Sequence, residues 1–260
     1  MRIKQLLQGE PLPDAFVGGI PRKTLRDFAL PHVGHPWVLQ LDIKDFYPSV
    51  NHFRVYDLFR NKLRCSPDVA RLLTRLTTAE RQLPQGFNTS TVIDNLLLRE
   101  CIERLTGVAA SYSLNLSVWI DNIVLSGGDV LVELQPEIVG IIREYGFSLH
   151  ENAPVPRTEE QTICGVTVNT VMSYHKTKRN LIKAMIAAIR EGNICAVCDG
   201  DARKLRRQVV GRVSSVRQVH HRQHWTLKRS LSRVLRRGDD RINWGCRCGK
   251  KQRSSQKSTY

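Results

Sequence analysis

Residues 118–127 read VWIDNIVLSG, two apolar runs that meet at Asp121-Asn122. Val, Trp and Ile on one side and Ile, Val and Leu on the other are strand formers. Two turn-forming residues between such runs are the strongest short-range signal for a β-hairpin in this chain. Asn accepts positive φ better than most residues, so the expectation places Asp121 and Asn122 in the turn itself. A carboxylate at the tip of a buried hairpin is also placed to hold a cation, and that reading needs a second carboxylate nearby.

One is supplied upstream. WVLQLD (37–42) alternates apolar and polar residues and predicts a strand ending at Asp42, after which Pro48 turns DFYPSV away from regular hydrogen bonding. Two strand-end carboxylates far apart in sequence could meet at one sheet edge and hold two divalent cations about 4 Å apart, the arrangement used for phosphoryl transfer. By position alone, each aspartate is more often a turn residue than a ligand.

Around these strands the periodicity predicts helices. Phe53, Val55, Tyr56, Leu58, Phe59 and Leu63 recur at helical spacing between 51 and 63. SPDVARLLTRLTT (66–78) starts another helix with Ser66 as N-cap and Pro67 in the first turn, and residues 91–105 form a third. PEIVGIIREYG (136–146) reads as a helix stopped by Gly146, and TICGVTVN (162–169) as a further strand. Long basic helices are expected over about 176–191, 202–219 and 222–237, then a flexible basic tail over 238–260. No internal repeat is visible.

The chain has 260 residues, is 41% hydrophobic and carries a net charge of +16, enough length and apolar content for a sizeable core. Residues 1–175 hold 17 Lys/Arg against 19 Asp/Glu, whereas 176–260 hold 23 against 5. A basic excess confined to one end points to a polyanionic partner, most often nucleic acid, with a solvated tail as the plainer alternative. No apolar run approaches the roughly 18 residues of a membrane span, and the N-terminus lacks a signal-peptide core, so a cytoplasmic protein is expected. Cys65, Cys101 and Cys164 lie in patterned apolar segments and read as reduced core thiols. Cys195/Cys198 and Cys246/Cys248 have the pairing of a zinc site, but 47 residues separate the pairs, more than compact structural sites use.

LDIKDFYPSV (41–50), LPQGFNTST (83–91) and WIDNIVLSG (119–127), in this order and spacing, resemble motifs A, B and C of the reverse transcriptase palm, particularly the bacterial retron-type and group II intron-type enzymes. The likeness covers about residues 14–237. It takes in AFVGGIPRKTLRDFALPHVG (15–34), where Ala29 and His32 fall on an Asn-Ala-x-x-His element whose Asn is Phe28 here. It continues through EYGFSLHENA (144–153, motif D), ICGVTVN (163–169, near motif E) and the thumb-like LRRQVVGRVSSVRQV (205–219).

This resemblance implies an α+β fold: partial fingers over 1–36, a palm with an antiparallel catalytic sheet over 37–175, and a basic helical thumb over 176–237. It implies RNA-directed DNA synthesis with two Mg²⁺ ions, or Mn²⁺ in their place. Asp42, the Ile43 carbonyl, Asp121 and Asn122 fall on the metal-binding positions. Tyr47 falls on the steric gate against a ribose 2′-hydroxyl, and Gln85, Gly86 and Ser90 on the residues lining the incoming nucleotide. Without the resemblance, Tyr47 is an ordinary half-buried tyrosine and PQG a simple turn. The thumb residues Arg203, Lys204, Arg206, Arg207, Arg212 and Arg217 are placed to neutralise phosphates of a template-primer duplex. The implied partners are an RNA template, which in this family can be a cognate structured non-coding RNA, the DNA product, deoxynucleoside triphosphates and an accessory protein. The implied setting is phage defence.

Three features depart from the family pattern. Motif C normally ends Asp-Asp, and the loss of one negative charge at Asn122 weakens a site that gathers two dications, although negative-strand RNA virus polymerases use Gly-Asp-Asn at the same hairpin. The motif D lysine position is Ala153, leaving His150 and Arg157 as neighbouring proton donors. The chain begins close to motif A, so the fingers are expected to be short, with Arg22, Lys23 and Arg26 as the nearby cations for a triphosphate. Together these departures leave two alternatives open: a catalytically degenerate RNA-binding palm, and template-independent nucleotide addition.

Overall fold

A computed structural model describes residues 2–150, 152–191 and 202–238. The chain divides into two compact units, residues 1–172 and 173–260.

The first unit is built on β1 (Trp37–Ile43), which pairs antiparallel with β3 (Asn122–Gly127) from Trp37 opposite Gly127 to Asp42 opposite Asn122. β3 pairs with β2 (Asn115–Trp119), and the far edge of β1 takes β4 (Leu149–His150) and β5 (Val155–Pro156), giving the order β2-β3-β1-β4. Strand alternation sends Leu39, Leu41 and Ile43 into the core and leaves Gln40 and Asp42 half-buried on the opposite face. Against the core face lie α6 (Ser90–Ser111), which buries Ile93, Leu98, Ile102 and Leu105, and α7 (Val130–Glu144), which buries Leu131, Ile138, Ile141 and Ile142. Each of these side chains contributes about 2 kcal/mol by leaving water, so the seam between sheet and helices anchors the functional face from behind.

The remaining helices of this unit are α1 (Arg2–Leu7), α2 (Leu25–Ala29), α3 (Phe46–Ser49), α4 (His52–Asp57) and α5 (Pro67–Thr77). As expected, the Ser66 hydroxyl accepts a hydrogen bond from the Val69 N–H at the start of α5, with Pro67 in the first turn. Asn51 caps α4 by accepting from the Arg54 N–H, and that helix continues to Lys62 as a wider π turn.

Several expectations are corrected. Pro48 does not prevent a helix: it sits inside α3, in the first turn, where a missing N–H costs no hydrogen bond. Phe53, one of the apolar residues at helical spacing, does not join the buried face and is 63% exposed. α7 begins six residues before Pro136 and carries that proline in its interior. TICGVTVN is not one strand but a tight hairpin of β6 (Thr162–Ile163) and β7 (Val166–Thr167). Cys164 and Gly165 turn it with φ of +47° and +76°, the conformation of a two-residue hairpin loop.

In the second unit, β8 (Ser173–Tyr174) precedes α8 (Lys176–Glu191), α9 (Ala202–Val219) and α10 (His221–Gly238), close to the expected bounds. Ile182, Met185, Ile186 and Ile189 of α8, Leu205, Val209, Val213 and Val216 of α9, and Leu227, Leu231 and Val234 of α10 are buried, the inner faces of amphipathic helices. The His224 ring lies 2.9 Å from the Val213 carbonyl, and the Tyr174 hydroxyl donates to Ser215. The expected tail and the four cysteines Cys195, Cys198, Cys246 and Cys248 lie outside the described residues, while Cys65 and Cys101 are free thiols. Among the described residues no helix is long and apolar enough to cross a membrane.

Candidate active site

The hairpin is present, but its turn is shifted by one residue from the sequence expectation. β2 ends at Trp119 and β3 starts at Asn122, so Ile120 and Asp121 form the loop and Asn122 is already a strand residue opposite Asp42. Ile120 takes φ +58°, an unusual conformation for a β-branched residue. The surroundings hold it there. Residues 15–18 dock along β2, with the Val118 N–H donating to the Ala15 carbonyl and the Val17 and Gly18 N–H groups donating to the Val118 carbonyl. A Cβ on Gly18 would lie 2.6 Å from the Ile120 nitrogen and 2.8 Å from the Trp119 Cα, so only glycine allows this approach.

The Ile43 N–H donates to the Asp121 carbonyl at 2.9 Å, tying the turn to the end of β1 and bringing both aspartates to one sheet edge. Burial, and next the negative charge of Asp121, raises the pKa of Asp42 above the ordinary carboxylate value, while His150, its partner on β4, works the other way. Two hard-oxygen donors that repel each other in a half-buried site fit a divalent cation between them. Among the described residues no group of three or more His, Cys, Asp or Glu side chains is placed to hold a metal. Asn122 is engaged in protein contacts: its Oδ1 accepts from Gln40 Nε2 at 2.9 Å, and its Nδ2 donates to Asp121 Oδ1 at 2.9 Å. In this arrangement Asn122 turns an N–H, not an oxygen, toward the carboxylate beside it.

Tyr47 lies half-buried on α3, close to Thr91 and Asp94 of α6. Burial first, and then the charge of Asp94, pushes the phenol up to about 12. Asp94, which sequence reading missed, is fully buried, and both its oxygens lack a hydrogen-bond partner among the described residues. Desolvation is the main cause that lifts its carboxyl to about 8; the Tyr47 hydroxyl opposes the shift and the charge of Asp121 adds to it. Asp94 is therefore a neutral acid at pH 7 beside the proposed gate. The available signal was an aspartate inside the apolar helical run TVIDNLLL.

Gln85 and Gly86 are exposed in the loop before α6, where Gly86 takes φ +96° with open space around the position of a Cβ. Ser90, the first residue of α6, is buried and donates to the Pro84 carbonyl at 2.6 Å, bracing that loop. Phe28 and His32 brace the hairpin from the other side. The Phe28 ring packs 5.7 Å from Trp119, and His32 Nδ1 lies 2.7 Å from Ser126 Oγ on β3. Burial pushes His32 down to about 3, so it is neutral. Arg22, Lys23, Arg26 and His150 are exposed, and the Arg157 N–H donates to the Pro36 carbonyl. In the second unit Lys204, Arg206, Arg207, Arg212 and Arg217 lie on the exposed side of α9; the side chain of Arg203 lies outside the described residues.

An antiparallel sheet that presents one carboxylate from its central strand and another from an adjacent hairpin, backed by long helices, is the palm of a right-hand polymerase. By sequence the chain is similar to retron reverse transcriptases. It is 32% identical over 197 residues to the retron Mx65 reverse transcriptase of Myxococcus xanthus, covering 68% of this chain and 46% of that protein. It is 25% identical over 248 residues to the retron Se72 reverse transcriptase of Salmonella heidelberg, covering 91% and 65%, and 24% identical over 175 residues to the retron Ec86 reverse transcriptase of Escherichia coli, covering 65% and 54%. The chain thus spans roughly half to two thirds of the length of these relatives. No protein-family model matches it. Among solved structures, telomerase from Candida tropicalis aligns with a TM-score of 0.48 at 10% identity over 91% of this chain and 47% of that one. A foamy viral protease-reverse transcriptase aligns at 0.42 and 14%, over 89% and 40%.

Proposed function

We propose that the chain is a retron-type RNA-directed DNA polymerase that extends a primer 3′ end with deoxynucleotides on an RNA template. The observation that carries this reading is the meeting of Asp42 and Asp121 at one sheet edge, tied by the Ile43–Asp121 backbone hydrogen bond. Bound Mg²⁺, or Mn²⁺, would activate the primer hydroxyl and neutralise charge on the transferring phosphate. Asp42 and Asp121 hold that charge in place, with the Ile43 carbonyl as a further oxygen. Asn122 orients Asp121 through its amide, and it joins the ligands only by releasing Gln40. Tyr47 occupies the space of a ribose 2′-hydroxyl, backed by Asp94. Gln85 and Gly86 line the nucleotide, and Ser90 sets their loop. The cations of α9 follow the phosphates of the duplex.

A second reading, RNA binding without catalysis, is favoured by the engagement of Asn122 with Gln40, which occupies the oxygen a metal would need. Primer extension on an RNA template, titrated with Mg²⁺ and Mn²⁺, decides between them. The native chain is expected to incorporate deoxynucleotides. Asp42→Ala should lose at least about a thousandfold in rate, and Asn122→Asp should shift the Mg²⁺ midpoint to lower concentration by adding a charged ligand. An inert native chain that gains activity as Asn122→Asp would establish the RNA-binding reading. Incorporation that ignores the template would replace both with terminal nucleotide addition.

A further inference from the structure

In the second unit Trp225 is 50% exposed, although the apolar row of the same helix, Leu227, Leu231 and Val234, is buried. The ring is fixed by its neighbours. Its Nε1 donates to His221 Nε2 at 3.0 Å, the His221 and His224 rings meet it nearly edge-on at 5.9 Å, and Lys228 Nζ sits 4.8 Å from its centroid. The one polar atom of the indole is thus satisfied within the protein, while half of the residue remains open to solvent with a cation already over its ring. Arg222, Lys228 and Arg229 stand three or four residues from Trp225 on the same exposed face, and no acidic residue occurs between His221 and Gly238.

We propose that Trp225 is a stacking platform for an unpaired nucleobase of bound RNA, with Arg222, Lys228 and Arg229 holding the flanking phosphates; this rests on the RNA-binding part of the proposed function. An aromatic face set among cations is how single-stranded nucleic acid is gripped without reading sequence. The bases of a duplex are already stacked on each other, so the ligand is a loop, bulge or strand end of a folded RNA. A membrane surface fits less well, because lipid binding needs a continuous apolar face and that face of α10 is spent inside its own unit.

The test measures affinity of the full chain at fixed salt for two RNAs of equal length: a hairpin with an unpaired loop, and a fully paired duplex. Trp225→Ala is expected to weaken the hairpin about tenfold and the duplex less than about twofold, while Trp225→Phe keeps most of the hairpin affinity. Equal losses on both RNAs, or no loss on either, would overturn the platform. Trp225-dependent binding to phosphatidylserine vesicles without selective loss on the hairpin would overturn it in favour of lipid. A native chain that binds neither RNA removes the RNA-binding reading and the platform together. A chain that fails primer extension yet prefers the hairpin through Trp225 leaves the platform standing alone.

Discussion

Asp94 shows how much one side chain can impose. Its carboxyl is raised from 3.8 to about 8, chiefly by burial, so between those values the folded chain keeps a proton that the unfolded chain has released. Its contribution to stability therefore falls as pH rises through that window, the reverse of a salt-bridged aspartate. Asp94→Asn is neutral at every pH and nearly the same shape. Thermal midpoints of the native chain and this variant should converge toward pH 4, and the variant should become progressively the more stable up to pH 9. Parallel curves would show that Asp94 ionises freely in the folded chain. Once ionised, Asp94 would act on Tyr47, and the charge of Asp121 acts on Asp94, so the three groups form one electrostatic cluster.

At the scale of elements, the hairpin depends on a segment distant in sequence. Residues 15–18 lie along β2, and a Cβ on Gly18 would come within 2.8 Å of the backbone that Ile120 and Trp119 contribute to the turn. Backbone cannot rotate away as a side chain can, so Gly18→Ala should cost about 1–3 kcal/mol in urea unfolding and displace Asp121 enough to suppress primer extension. Gly128→Ala, where a Cβ meets nothing within 4 Å, is the control and should leave both unchanged. The elements themselves were largely legible. Ser66 and Pro67 announced a helix start, and alternation announced β1, because both signals are local. The Cys164-Gly165 turn was missed because the apolar run continues across it and hides a reversal that only the backbone dihedrals reveal.

For the whole molecule, charge separation is the governing feature: residues 176–260 carry 23 Lys/Arg against 5 Asp/Glu, while the part before them is nearly neutral. If the exposed cations of α9 contact phosphates, log affinity for duplex should fall with log salt at a slope of about −0.9 per contact. Replacing Arg206 and Arg207 together by Ala should reduce that slope by about 1 to 2 in filter binding across a salt series. An unchanged slope would place the contacts elsewhere. This measurement reads phosphates alone and is independent of the stacking expected at Trp225.

The sequence by itself determined β1 and the β2–β3 hairpin, most helices, the basic thumb-like helices and the pairing of Asp42 with the region of Asp121, since periodicity, capping and motif order are written along the chain. Tertiary structure decided three things that depend on groups far apart in sequence. It placed the turn on Ile120-Asp121, because the segment around Gly18, docked along β2, holds Ile120 at a positive φ that a β-branched residue ordinarily avoids. It turned the Asn122 amide toward Asp121, because Gln40 on the neighbouring strand takes the carbonyl. It made Asp94 an acid of the site, because burial beside Tyr47 removes the water that would otherwise let it ionise.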